Sequence, residues 1–306
     1  MSNKTEVETF EAFEAYYDEA KENIDQRISE ILADNEEFTI KRRMLEHSTR
    51  GGKRLRPVLT MLVSDVYDSP YDKAINHAAI VELIHNASLV ANDRADNDAT
   101  RRGAPALWKI IEKLPLGRRG HKFITGATVM AENGLVALAF QLAAEHDVAQ
   151  AVAHGMRKLV DGFFLEGANV FEGVVGGGYD KYIEIAKAKT GGLYALASWM
   201  PATFVNAPEE QIDAARKYGE TLGILYQIAD DIADGDLPSY IADPEEELEK
   251  WHDKALGHVE RMPDDEKKDL LRVAPSYMVS RMLEEEDLLG KIEVSFLPST
   301  EMEGER

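Results

Sequence analysis

Two groups of acidic side chains have the spacing needed to bind divalent cations. The first is the segment NDRAD at residues 92–96, and the second is the segment DDIAD at residues 230–234. In a helix, the first and last side chains of each segment lie one turn apart on the same face. Carboxylates gathered in this way repel one another and need compensating positive charge. Mg²⁺ shared with phosphate oxygens meets that need, because it is a hard cation that prefers oxygen ligands.

Further polar residues extend the same helix faces. Glu82, His85 and Ser88 precede the first segment at three- or four-residue steps, and Gln227 lies one turn before the second. Such a stripe aims polar side chains into one cavity. A chain with 56 acidic residues also contains aspartate pairs by chance, and the pair at 264–265 follows a proline as in an ordinary helix start. Either segment alone is therefore weak evidence for a metal site.

Three cationic segments strengthen the case for an anionic ligand. They are GGKRLRP at 51–57, RRG at 101–103 and KTGG at 189–192. Glycines let the backbone approach a ligand closely, and Lys and Arg give charge-assisted hydrogen bonds to diphosphate oxygens. Taken singly, each segment could equally be a turn or a helix cap. Together in one acidic chain, they favour an anion-binding cavity.

The charge of the chain excludes one class of partner. The formal net charge is −21, which argues against a nucleic-acid ligand because a polyanion would be repelled. The acids are spread along the chain, a distribution that suits a hydrated surface at high ionic strength and predicts a halophilic source. The absence of cysteine excludes disulfides and thiolate metal sites. With neither a signal-peptide pattern nor eighteen consecutive apolar residues, we expect a cytoplasmic protein that does not span a membrane.

The elements that must position these residues are predicted to be helices throughout. Apolar residues recur with helical spacing, and alternating strand patterns bounded by hairpin turns are missing from the sequence. One domain is expected over residues 1–290, followed by a polar tail at 291–306, and residues 97–122 are predicted to form an irregular connection. The predicted helices cover residues 5–33, 38–48, 54–67, 72–95, 123–146, 148–171, 179–199, 208–235, 243–259 and 264–289.

The order of the motifs identifies a family resemblance. GGKRLRP, ELIHNASLVANDRADNDATRRG, KTGG and YQIADDIAD follow one another as in the trans-prenyl diphosphate synthases, which include geranylgeranyl diphosphate synthases. The resemblance covers roughly residues 40–240. It implies an all-α isoprenoid-synthase-like bundle of ten or more helices around a deep cavity, usually dimeric. It also implies Mg²⁺-dependent condensation of isopentenyl diphosphate with an allylic diphosphate, by a homodimer or a heterodimer with a related synthase.

The same resemblance assigns roles to individual residues. The diphosphate of isopentenyl diphosphate would be held by Lys53, Arg56, His85 and Arg102. The allylic diphosphate would be held by Arg101, Lys189 and as many as three Mg²⁺ ions. The ions would bind at Asn92, Asp93, Asp96, Asp230, Asp231 and Asp234. The catalytic set would comprise Arg101, Lys189, Thr190 and Gln227, of which Thr190 and Gln227 would lie near the reacting carbons.

The product length depends on the residues that precede the first acidic segment. Ala87 and Ser88 stand where the growing chain of the family enters the pocket, and both are small. Small side chains there predict a product of C20 or longer. A bulky residue from another helix, such as Phe123, Phe163 or Phe164, could close the cavity instead.

Three departures from the family pattern leave a second hypothesis open. Asn92 offers a neutral carbonyl oxygen where the family has an aspartate, no lysine follows Asp234 until Lys250, and Glu132-Asn133 replaces the usual Gly-Asp. The chain could therefore be a weakly active structural or regulatory subunit of an active prenyl synthase. A cyclase or head-to-head condensing enzyme is a third hypothesis, which the isopentenyl-site motifs GGKRLRP and RRG disfavour.

Overall fold

The protein is a bundle of α-helices, which confirms the predicted all-α class. The computed structural model describes residues 6–34, 39–114, 120–171, 178–285, 288, 292 and 294–297. In chain order the helices are α1 (Glu6–Ala33), α2 (Thr39–Thr49), α3 (Leu55–Val66), α4 (Tyr71–Ala95), α5 (Leu107–Glu112), α6 (Gly120–Glu145), α7 (Ala149–Phe171), α8 (Gly178–Ala186), α9 (Gly192–Phe204), α10 (Glu209–Asp234), α11 (Pro244–Val259) and α12 (Lys268–Glu285). Strands β1 (Thr100–Arg101) and β2 (Ala104–Pro105) form a short antiparallel hairpin.

Helices α4, α9 and α10 form the centre of the bundle. Helix α4 packs against α3, α6 and α9, whereas α10 packs against α9, α11 and α12. Their contacting faces are rich in Ala, Ile, Leu and Val, and the removal of these side chains from water stabilises the arrangement. The central position of α4 and α10 matters for function, since these helices carry the two acidic segments.

The connection predicted to be irregular contains regular structure. Residues 100–105 form the hairpin, and Leu107–Glu112 forms α5, which packs on α6. The indole Nε1 of Trp108 donates a hydrogen bond to the Asp98 carbonyl at 2.7 Å, and Ile111 is fully buried. The prediction was wrong here because an apolar face of so few residues is hard to recognise beside the flanking arginines and glycines.

The helix predicted over residues 179–199 is divided by a π-helical turn at Lys187–Gly191. This turn is enclosed between glycines of two neighbouring helices. A Cβ atom at Gly162 in α7 would lie 2.6 Å from the Ala188 carbonyl carbon, and one at Gly223 in α10 would lie 2.4 Å from the Gly191 Cα. Because neither glycine has a side chain, the two helices approach the turn closely and fix its position.

The predicted polar tail is partly packed against α11. The ring of Phe296 stacks on His252 with centroids 4.0 Å apart, and the Ser295 amide donates a hydrogen bond to Glu249 at 3.0 Å. The tail was predicted over residues 291–306, of which residues 298–306 lie outside the described part of the chain. The boundary between domain and tail stays a prediction.

Helix α6 combines high hydropathy with an exposed apolar surface. In the described part of the chain, Lys122–Glu145 is the one stretch with the length and composition of a membrane span, and 33% of it is buried inside the protein. A single such stretch is weak evidence for a span, and this one packs on α4 and α5. Large exposed apolar side chains on α6 and α7 form what we call the α6–α7 apolar face: Phe123, Val129, Met130, Val160, Phe163 and Phe164.

We expect Gly223→Ala to destabilise the protein by about 1–3 kcal/mol, because its new methyl group would overlap backbone atoms of the π turn. The matched control is Gly257→Ala in α11, where an added Cβ meets nothing within 4 Å. That change should be neutral or stabilising by up to about 1 kcal/mol. Chemical denaturation of both variants measures the difference. Equal stabilities would contradict the close packing of α10 on the turn.

Candidate functional site

A single cavity of about 710 Å³ collects most of the predicted site residues. One half is polar and is lined from the segment before α3, from α4, the β1–β2 hairpin, the π turn and α10. The other half is lined mainly by apolar side chains of α4, α6 and α7. The predicted residues on its surface are Lys53, Arg56, His85, Ala87, Ser88, Asn92, Asp96, Arg101, Arg102, Lys189, Thr190, Gln227 and Asp230. The predicted residues that do not line it are Asp93, Asp231 and Asp234.

A buried ion pair fixes the segment that precedes α3. Arg54 adopts a left-handed backbone conformation with φ 53°, and its side chain pairs with Glu82 of α4. The two side chains are 2% and 1% exposed. Arg54 also donates to the Asp25 carboxylate at 2.8 Å and to the Thr49 carbonyl at 2.6 Å. All three cations of GGKRLRP line the cavity, but these contacts give Arg54 a structural role and leave Lys53 and Arg56 as the candidate ligands.

The same carboxylate helps to position the hairpin. Asn86 donates to Glu82 at 2.8 Å and accepts a hydrogen bond from Arg102 at 3.1 Å. Arg102, which has φ 53°, also donates to the Arg50 carbonyl at 2.7 Å. A Cβ atom at Gly52 would lie 2.7 Å from the Arg102 guanidinium, so glycine is required for this close approach. The two cationic loops are thus joined into one wall of the cavity.

Arg56 and His85 provide a cation and a neutral donor on that wall. The guanidinium of Arg56 lies 4.4 Å from the centre of the Tyr194 ring and has one nitrogen 3.4 Å from His85 Nε2. Within the described residues, the buried Arg56 Nε has no hydrogen-bond partner. Burial and the charges of Arg56 and Arg102 hold the pKa of His85 well below its ordinary value, so the ring is neutral. An anionic ligand would satisfy the orphaned Nε–H.

The first acidic segment divides its residues between the cavity and the protein interior. Asn92 and Asp96 line the cavity, whereas Asp93 is buried and accepts a hydrogen bond from Arg101 Nε at 2.7 Å. Burial raises the pKa of Asp93, although Arg101 opposes this effect. Arg101 also pairs with Asp98 at 3.2 Å. Asp93, a predicted metal ligand, therefore contacts Arg101, which is predicted to bind the allylic diphosphate.

The second acidic segment is linked to the π turn by a chain of hydrogen bonds. Thr190 donates to the Gln227 side-chain oxygen at 2.6 Å, and the Gln227 amide donates to Asp231 at 2.8 Å. Tyr182 of α8 donates to the other Asp231 oxygen at 2.6 Å. Asp230 is the member of the segment that faces the cavity. Thr190 and Gln227 thus lie side by side, and Gln227 contacts Asp231, the neighbour of Asp230 in the chain.

The charge state of Asp230 fits a site that a cation completes. Burial, with the neighbouring charges of Asp234 and Asp231, raises the pKa of Asp230 to about 6. Asn92, Asp96 and Asp230 bring oxygen donors to the cavity, which suits a hard divalent cation. Across the described residues, no three His, Asp or Glu side chains are grouped closely enough to hold a metal ion. The predicted number of ions stays a prediction.

The lysines near the second segment are already paired. Lys189 contacts Glu166 of α7 at 2.7 Å. Helix α10 ends at Gly235, which has φ 74°, and the next residues contain no lysine. Lys250 pairs with Glu247 at 3.0 Å and covers the Tyr179 ring at 4.4 Å, so it does not line the cavity.

Sequence reasoning missed several residues of the site. Glu166 and Tyr182 had only their distance from KTGG along the chain as a signal, and Asn86 had only its four-residue step from Glu82. Of the three phenylalanines considered as cavity plugs, Phe163 and Phe164 line the cavity, and Phe123 does not. The other polar or aromatic lining residues, which had no assigned binding role, are Arg54, Glu82, Glu132 and Tyr226.

The polyprenyl synthetase family profile matches residues 39–248 of this sequence. The chain belongs to the polyprenyl synthetase family. This confirms the predicted family, and the matched segment of this polyprenyl synthetase contains both acidic segments and all three cationic ones.

Individual members with names and structures support the assignment. The geranylgeranyl pyrophosphate synthase of Geoglobus acetivorans is 31% identical over 214 residues, which cover 69% of this chain and 64% of that protein. The nonaprenyl diphosphate synthase of Mycobacterium tuberculosis is 30% identical over 192 residues, covering 62% and 53%. The chain thus spans less than two thirds of these curated relatives. A solved Geoglobus acetivorans geranylgeranyl pyrophosphate synthetase shares the fold, with a TM-score of 0.74, 23% identity and coverage of 87% and 99%.

We expect Glu82→Gln to cost about 3–5 kcal/mol of unfolding free energy, because it leaves the buried Arg54 charge without its main partner. The control is Glu184→Gln, which removes an exposed pair with Lys181 and should cost at most about 1 kcal/mol. Urea denaturation monitored by circular dichroism measures both. Similar losses of unfolding free energy in the two variants would show that the Arg54–Glu82 pair stabilises the protein no more than an exposed ion pair does.

Proposed function

We propose that this polyprenyl synthetase condenses isopentenyl diphosphate with an allylic diphosphate to lengthen a trans-prenyl chain. The observation that carries the proposal is the composition of the cavity. Cations and carboxylates line its polar half, and mainly apolar side chains make up the rest of its lining. Two diphosphates with hydrocarbon tails match this division. The curated names of the relatives, which are prenyl diphosphate synthases of different product lengths, agree with it.

The cationic wall supports binding of two diphosphates. Lys53, Arg56, His85 and Arg102 would hold isopentenyl diphosphate, with the neutral His85 donating a hydrogen bond and Arg56 using its orphaned Nε–H. Arg101 and Lys189 would contact the allylic diphosphate. Both are now paired with carboxylates, so the ligand would compete with Asp93 and Glu166 for them.

The acidic residues support a requirement for Mg²⁺. Asn92, Asp96 and Asp230 face the cavity with oxygen donors, and Asp93, Asp231 and Asp234 would complete the set. When bound, Mg²⁺ supplies positive charge that stabilises a departing diphosphate. The protein contributes by holding these carboxylates together in spite of their repulsion.

The reaction would begin with cleavage of the allylic carbon–oxygen bond, whose electrons leave with the diphosphate. The double bond of isopentenyl diphosphate then attacks the allylic carbon, and the departed diphosphate takes the released proton. Arg101 and Lys189 would stabilise the leaving-group charge. Thr190 and Gln227, joined at 2.6 Å, would hold the reacting end in place. The apolar walls would keep water from the cationic carbon.

The small residues of α4 support a product of C20 or longer. Ala87 and Ser88 both line the cavity and leave room beside the apolar side chains of α7. This is the physical basis for a long product. The relatives alone leave the length open, since their names range from geranylgeranyl to nonaprenyl.

A second candidate function is a weakly active subunit of another prenyl synthase. Asn92 removes one charge from the first acidic segment, Asp93 and Asp231 are engaged by other side chains, and the expected lysine after Asp234 is missing. These features would weaken metal and allylic diphosphate binding. They are compatible with a protein that works by pairing with an active partner.

The exposed apolar surface supports a dimer, either with a second copy or with a related synthase. The α6–α7 apolar face includes side chains as exposed as Met130, at 67%, and it borders the cavity through Phe163 and Phe164. Burial of this face would be strongly favourable. The acidic surface supports a cytoplasmic enzyme that works at high salt, where repulsion between copies is screened.

The activity test is incubation of the purified chain with Mg²⁺, labelled isopentenyl diphosphate and C5, C10 or C15 allylic primers, at low and high salt. We expect elongation, and Asp230→Ala should reduce it at least about 100-fold because it removes a charge at the reacting end. Asn92→Asp should increase it several-fold by restoring a carboxylate.

The control is Asp253→Ala, an aspartate 82% exposed on α11, which should keep the full rate. If no condition gives elongation but the chain stimulates an active prenyl synthase, the subunit hypothesis replaces the enzyme. An unaffected Asp230→Ala variant would refute the assigned role of the second acidic segment.

We expect Met130→Glu to convert a dimer into monomers, because it places a charge in the α6–α7 apolar face. The control is Tyr71→Glu, a 58% exposed apolar residue on α4 outside that face. Sedimentation velocity at high salt measures the mass. If both variants keep the mass of the wild type, another surface forms the dimer.

A further inference from the structure

Glu132 places a carboxyl group in the apolar half of the cavity. It lies on α6 and is partly buried. Among the described lining residues contributed by α6 and α7, Glu132 alone is charged. The others share an apolar character: Val136, Met156, Leu159, Val160, Phe163 and Phe164.

Within the described part of the chain, the carboxyl group of Glu132 also lacks a partner. No other described residue forms an ion pair or hydrogen bond with its side chain. Two other carboxylates on the cavity wall differ in this respect. Glu82 is paired with Arg54, and the positive charges of Lys53 and Arg56 stabilise the ionised form of Asp230. An unpartnered carboxyl group keeps its hydrogen bonds with water only while its end of the cavity stays wet.

The surroundings of Glu132 differ from those of Asp230. Burial raises the pKa of Glu132, whereas the pKa of Asp230 is raised by burial together with the charges of Asp234 and Asp231. Glu132 lines the same cavity as the small residues Ala87 and Ser88 of α4.

A prenyl chain that reached Glu132 would strip water from this carboxyl group and offer no hydrogen bond in return. The resulting penalty opposes the gain from burying another isoprene unit. Ala87 and Ser88 line the same cavity and are small, so the obstacle would be the polarity of Glu132 and not bulk on α4. Chain growth would become unfavourable at the point where the terminal isoprene unit meets the carboxyl group.

We propose that Glu132 is a specificity-determining residue that sets the longest prenyl chain the cavity accepts. The inference rests on the proposed function and makes it more specific. The small residues of α4 admit a long chain, and Glu132 limits how far that chain extends.

Three substitutions test the role of polarity at fixed position. Glu132→Leu and Glu132→Met remove the polar group at similar size, and Glu132→Gln keeps a polar group. The probes are unreactive thiolodiphosphate analogues of C10, C15, C20 and C25 prenyl chains, whose binding is measured by calorimetry with Mg²⁺. Glu145→Gln, an exposed change at the end of α6, is the control.

Wild-type affinity should increase with chain length and then fall at a limiting length. Glu132→Leu and Glu132→Met should bind the analogue beyond that limit at least about 10-fold more tightly than the wild type. Glu132→Gln and Glu145→Gln should keep the limit. In elongation assays, the apolar variants should shift the product distribution to longer chains.

The inference is overturned if either apolar variant, shown by thermal melting to be folded, keeps the wild-type dependence on chain length. Release of the limit by Glu132→Gln as well would overturn the explanation by polarity. If the wild type binds none of the analogues, the proposed function fails and the inference fails with it. Binding by the wild type with no effect of Glu132→Leu refutes the inference alone.

Discussion

The buried contact between Arg54 and Glu82 holds the cationic half of the cavity in place. Each charged side chain would be costly to bury without the other. Separation of the loop before α3 from the middle of α4 is therefore unfavourable, because it would leave both charges unpaired. Arg54 is followed by the lining residue Arg56 and preceded by Lys53, and through Asn86 the same carboxylate reaches Arg102. A structural ion pair therefore organises binding groups that it does not itself supply. Rigid support of this kind is what a site for charged ligands requires.

The contacts around the two acidic segments show a different balance of charge. Arg101 lies on Asp93, Lys189 on Glu166, and Asp231 is held by Tyr182 and Gln227. These contacts keep potential ligands ordered, yet they also lower the free energy that each could contribute to a new partner. Asp230 differs, because burial and the charges of Asp234 and Asp231 raise its pKa, and a bound cation would oppose both effects. The paired groups favour the hypothesis of a weakly active subunit, whereas Asp230 favours the hypothesis of an active enzyme.

The sequence predicted the long helices well because their apolar spacing persists for many turns, as in α1, α4 and α10. It predicted the cavity residues through motif order. It could not show the π turn, since the apolar pattern continues from α8 into α9 without a visible break. Nor could it show that Asp93 faces Arg101, or that Glu132 meets the hydrocarbon half, since such facts depend on how α4 and α6 are rotated against each other. Short elements such as α5 were missed because few residues leave little periodic signal.

The two glycines that enclose the π turn have a consequence for how this protein can diverge. Any side chain at Gly162 or Gly223 would collide with the backbone that carries Lys189 and Thr190. Substitutions at these two positions would therefore disrupt the packing of the π turn, so they offer no route to a changed activity. The cavity wall has no such restriction at Val160, Phe163 and Phe164 of α7, whose side chains are 42–68% exposed. New specificities should arise by changes in that wall, while the reacting end stays the same.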